Sequence, residues 1–148
     1  MNINTFTLIN LILLTYGYAL GTQSFLWKIS CCNIFGTTIS FSCVPFFDSY
    51  AYERQRKKRN FTVFTFYMGH FVLHVLPCMF VYYNLPFNIY ISTCIMAFGL
   101  KILWAICSCG NIYLNDIYVT MENNVWEKVW MISLISHFLT LFLIKNTV

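Results

Sequence analysis

Between Phe61 and Tyr83 the chain runs 23 residues without an Asp, Glu, Lys or Arg. About 20 predominantly apolar residues suffice to cross the hydrocarbon core of a bilayer as a helix. Composition extends the constraint to the whole chain. Its 148 residues are 59% apolar and 9% charged, against about 45–50% and 25% in an ordinary soluble domain. A globule this small has more surface than so few charges can cover. An ordinary soluble protein, a disordered chain and a nucleic-acid binder are excluded on that ground.

The expected fold is an all-α membrane protein, a polytopic bundle of four to five transmembrane helices in one integral membrane domain, 1–148. The spans are expected over about 6–24, 25–47, 61–83, 87–108 and 125–144, with a polar loop at 48–60. The first reads as an uncleaved span. Ala19-Leu20-Gly21 resembles a cleavage site, but no Lys or Arg precedes the apolar run. Gly17 and Gly21 form a GxxxG pair, which permits close helix approach. The second stretch carries Ser30, Asn33, Thr37, Thr38, Ser40, Ser42 and Pro45. A lipid-facing helix would not choose these; a helix buried among others can use them for packing and interhelical hydrogen bonds. A re-entrant or interfacial segment is the alternative. Asn84-Leu85-Pro86 reads as a turn joining an antiparallel pair, with Pro86 opening the next helix. Trp126, Trp130 and Lys145 suit interfacial anchors of the last span.

Positive charge is concentrated in the loop at 48–60, at Arg54, Arg56, Lys57, Lys58 and Arg59. By the positive-inside rule this loop marks the cytoplasmic, or matrix, side. The same residues attract anionic lipid headgroups, at about 1 kcal/mol per charge near the surface. The sequon Asn60-Phe61-Thr62 on that side is expected to be unused. The abundance of Phe, Tyr, Ile and Asn fits an AT-rich coding sequence, such as that of a virus, a protist or an organelle.

Seven cysteines contain no CxxC pair and no zinc spacing. They read as small core residues, with palmitoylation of Cys107 or Cys109 as the alternative.

Polar residues inside a span are expensive, which makes them the site candidates. His70 and His74 are four apart and share a helix face, with Tyr67 on the same stripe and Pro77 expected to kink the helix behind them. His137 lies mid-way along the last span, between Ser133 and Thr140. If the three imidazoles converged they would make a metal site with an open position. Other roles are haem ligand, proton relay or catalytic base; the plain role is hydrogen bonding between helices. Imidazoles packed against aromatic rings would favour the plain role. Lys101 is expected to snorkel to the interface, or else to face the bundle near Asn88, Ser92 or the histidines. No cofactor is expected, and a metal or haem on His70, His74 and His137 is the lesser reading. The HxxxH pattern also occurs in membrane desaturases and hydroxylases, but those need further histidine clusters and this chain has three histidines in all.

Thr37 or Thr38 with a membrane histidine would suit a lipid hydrolase. The order Trp27-Lys28, basic loop, then His70 and His74 before Leu76-Pro77 resembles the androgen-induced family of fatty-ester hydrolases. The resemblance implies a threonine nucleophile soon after the Trp-Lys pair, where this chain has Cys31 and Cys32.

No loop is long enough for a soluble catalytic site, and no nucleotide-binding or metal motif is complete. The leading expectation is a non-catalytic accessory or structural membrane component. Its partners would be the bilayer and other membrane subunits or further copies of itself, with no nucleic acid. The alternatives are a lipid-modifying enzyme using intramembrane histidines and a small channel or proton-conducting oligomer.

Overall fold

A computed structural model describes residues 5–84, 89–107 and 134–139. Every element among the described residues is helical. In order they are α1 (Thr5–Ala19), α2 (Phe25–Phe47), α3 (Ala51–Lys58), α4 (Val63–Tyr83) and α5 (Ile91–Cys107), followed by a helical stretch at 134–139. Two of them, α2 and α4, are long and apolar enough to cross a membrane. The other apolar helices are shorter.

The first helix ends at Ala19, short of the expected 24, because the chain turns there. Gly21 has φ +102°, a left-handed conformation that favours glycine. Ser24 then caps α2, accepting the Trp27 N–H at 3.2 Å and donating to the Gly17 carbonyl at 3.1 Å. The two glycines therefore do different work. Gly17 is the close-approach residue: a Cβ there would lie 2.8 Å from the Trp27 Cα. Gly21 makes no such contact and serves the turn. The helix after Asn84 also differs from expectation. Residues 85–88 are outside the described set, 89–90 are not helical, and α5 starts at Ile91 rather than 87.

α2 is the central helix and packs against α1, α4 and α5. Three of its polar residues, Ser30, Asn33 and Ser40, are buried, Thr37 and Thr38 are half-buried, and Ser42 is exposed. The serines satisfy themselves within the helix, Ser30 donating to Leu26 O at 2.8 Å and Ser40 to Gly36 O at 2.6 Å. Trp27 is fully buried and donates its Nε1–H to Asn84 O at 3.0 Å, tying the start of α2 to the end of α4. The Tyr18 and Phe80 rings close around it, at 5.5 and 6.0 Å between centroids.

The two described helical prolines are accommodated differently. Pro45 has no N–H for the Phe41 carbonyl, one turn earlier. The Tyr52 hydroxyl supplies a donor at 2.6 Å instead, and burial pushes its phenol pKa up, so it stays protonated. Removing that donor with Tyr52→Phe should destabilise the protein by about 1 kcal/mol, the worth of one buried hydrogen bond. Thermal unfolding in detergent measures it, and an unchanged midpoint would show that the carbonyl does not need this donor. Pro77 follows a π-helical turn over Phe71–Val75, in which Leu76 N–H reaches back to Phe71 O. Such wider turns, with hydroxyl donors from neighbouring helices, are how prolines are accommodated inside apolar helices. Thr38 of α2 donates to the neighbouring His74 carbonyl at 3.1 Å, one residue past the Leu73 carbonyl that Pro77 leaves without its α-helical donor.

The basic segment expected as a loop is itself helical. Glu53 pairs with Arg56 and Lys57 at i+3 and i+4, which supports one turn after another. The Arg56 guanidinium holds the Glu53 carboxyl at about 2, well below its usual range. Asn60, at φ 53°, ends the helix. Its N–H goes to Lys57 O and that of Phe61 to Arg56 O, the two bonds of a Schellman cap. Thr62 of the sequon caps α4 through the Thr65 N–H.

Candidate functional site

The two histidines of α4 face α2, where one aromatic ring receives both. Phe41 stacks on His70 with centroids 4.4 Å apart and planes at 27°, and on His74 at 4.8 Å and 16°. The imidazoles lie 5.0 Å from one another, tilted by 42°. Tyr52 joins the same cluster, 5.0 Å from Phe41 and 6.1 Å from His70. The i, i+4 spacing placed both rings on one face, and the π-helical turn falls between Gly69 and Pro77, carrying His74 within it. One polar atom of this cluster is buried without a hydrogen-bond partner, the Nδ1 of His70. On α2, the Thr37 hydroxyl is likewise buried and unpartnered.

His137 is placed elsewhere. It is fully buried, with Nε2 at 3.3 Å from Asn33 Oδ1 and its ring edge-on to Phe98, 5.6 Å between centroids. It sits over Gly36: a Cβ on that glycine would fall 2.5 Å from the imidazole. The convergence of His70, His74 and His137 is not found. Among the described residues there is no group of three His, Cys, Asp or Glu side chains able to hold a metal.

Lys101 is buried on α5, so it faces the protein rather than reaching outward. Of the two expectations this corrects snorkelling and bears out the inward-facing alternative. In the basic helix, Arg54 is ion-paired with Asp48 and Arg56 with Glu53. Lys57 shares Glu53 and remains 70% exposed. Asn88, Ser133, Thr140, Cys109, Trp126, Trp130 and Lys145 lie outside the described residues.

Sequence reasoning found the His70–His74 stripe and missed what it meets. Phe41 gave no signal, being one of 15 phenylalanines. Asn33 was visible as a polar residue in an apolar run, but its partner, 104 residues away, was not.

Comparison with known protein families, curated proteins and solved structures gave no match. The resemblance to the androgen-induced hydrolases gains no support from it and rests on the quoted residues alone. The structure adds a departure: Thr38 spends its hydroxyl on the His74 backbone carbonyl, not on an imidazole nitrogen.

Proposed function

We propose that this chain is a small polytopic integral membrane protein that acts through helix packing, as an accessory or structural component of its membrane. The observation that carries the reading is its reversed polarity. Asn10, Asn33, Ser40, Lys101 and His137 are inside, while Phe64, Tyr67, Val72, Met79 and Tyr83 of α4 are exposed, Phe64 by 73%. Water would not tolerate so continuous an apolar helix surface on so small a fold; hydrocarbon would. The short helices α1 and α5 pack along α2 as further members of a four- to five-span bundle. The basic helix α3 lies at the cytoplasmic, or matrix, surface, flanked by the exposed aromatics Phe46 and Tyr50.

The stacked imidazoles support the non-catalytic side of this reading. Both rings are used as flat packing surfaces against Phe41, and a single orphan nitrogen is not a reaction site. The protein should stay with the membrane under alkaline carbonate. Elemental analysis and the visible spectrum should be the same for wild type and His70→Ala/His74→Ala, with no stoichiometric metal or haem band. Release by carbonate would overturn the membrane reading. A metal or chromophore lost in the double variant would overturn the packing role and favour the lipid-modifying alternative.

A further inference from the structure

Two of the buried cysteines are brought into contact from different helices. Cys32 of α2 and Cys94 of α5 place their sulfurs 3.3 Å apart, with Ile29 and Ala97 packed around them. Both side chains are buried and both are free thiols. Cys31, the next residue back, points about 100° around the helix. It joins a separate cluster with Leu14, Trp27 and Val81. Packing alone would be served by alanine, as Ala97 serves it one turn further along α5. Paired thiols add a chemistry that alanine lacks.

We propose that Cys32 and Cys94 are a redox modification site, closing to an internal disulfide that locks α5 onto α2. To form the bond the sulfurs need to approach from 3.3 Å to about 2.05 Å. Two S–H bonds break and one S–S bond forms. Two electrons and two protons pass to a lipid-soluble oxidant of the quinone class, which leaves as the quinol. Both thiols are buried among apolar side chains, which favours an uncharged oxidant over a charged, water-borne one.

The position gives the bond something to act on. Cys32 precedes Asn33, whose amide oxygen meets His137, and Cys94 lies one turn before Phe98, which packs on the same imidazole. The disulfide fixes relative to one another the two helices that enclose His137.

The test uses the full chain in native membranes, oxidised with the membrane-permeant azo compound diamide. Remaining thiols are then blocked with N-ethylmaleimide, and the digested protein is mapped by mass spectrometry. The expected product is a Cys32–Cys94 linked peptide, reversed by dithiothreitol. It should be kept in Cys31→Ala and lost in Cys32→Ala. The wild-type map alone decides the matter if a variant fails to fold. Cys32 and Cys94 both recovered as maleimide adducts, or Cys94 linked through Cys31, would overturn the proposal.

Discussion

Gly17→Ala should lower the thermal midpoint of the protein by roughly 4–8 °C, at about 2–4 °C per kcal/mol for a chain of this size. The added methyl carbon would stand 2.8 Å from both the Trp27 Cα and its amide nitrogen, a contact with backbone and not with a flexible side chain. It cannot be relieved by a rotamer change. α1 must slide or lift from α2, and with it goes the Ser24 bond to the Gly17 carbonyl, which the same close approach makes possible. Overpacking of this kind costs about 1–3 kcal/mol, more when backbone must move. Against it stands the helix propensity of alanine over glycine, about 1 kcal/mol in favour. Gly69→Ala and Gly99→Ala separate the two terms. Those helical glycines have nothing within 4 Å of the added carbon, so they should show the propensity gain without the clash. A rise or no change for Gly17→Ala would mean that α1 is not seated on α2 as described.

That pair of helices also marks what could be read from the amino acids. The polar residues of 25–47 pointed to a helix among helices, because hydroxyls and amides in an apolar run need protein partners. α2 is that helix, buried from Trp27 to Gly36 with few breaks. The GxxxG pair was half legible. Spacing places Gly17 and Gly21 on one face of a continuous helix, but it does not carry the sign of φ, and the chain turns at the second glycine. The helicity of 51–58 had its signal in Glu53, Arg56 and Lys57; the density of charge drew attention to topology instead. Pro45 and Tyr52, or Phe41 and the two histidines, meet across helices, and such meetings depend on interhelical register that no local pattern specifies. The choice between the two places expected for Lys101 was open for the same reason: its burial is decided by what α5 packs against, not by its distance from the helix end.

Gly36→Ala is the second large effect, and it bears on His137. The new methyl carbon would fall 2.5 Å from Cε1 and Nδ1 of the imidazole and 2.8 Å from Cγ, so the whole ring has to leave. The ring is fully buried, between α2 and Phe98 of α5. Moving it breaks the contact of Nε2 with Asn33 Oδ1. The Asn33 Nδ2 already has no hydrogen-bond partner, so the displaced ring would leave the entire amide buried and unsatisfied, at about 1–3 kcal/mol. Added to the steric term, the expected loss is about 3–4 kcal/mol. His137→Ala alone should also destabilise, by opening a cavity and orphaning the same amide. The double variant separates the causes. With the ring gone, the alanine at position 36 has room, so Gly36→Ala/His137→Ala should be no less stable than His137→Ala and more stable than simple addition of the two losses. A coupling of about 3–4 kcal/mol in that cycle, the whole loss of Gly36→Ala, would establish that the glycine exists to seat the histidine. Strict additivity would place the ring away from α2 and remove His137 from the polar centre of the bundle.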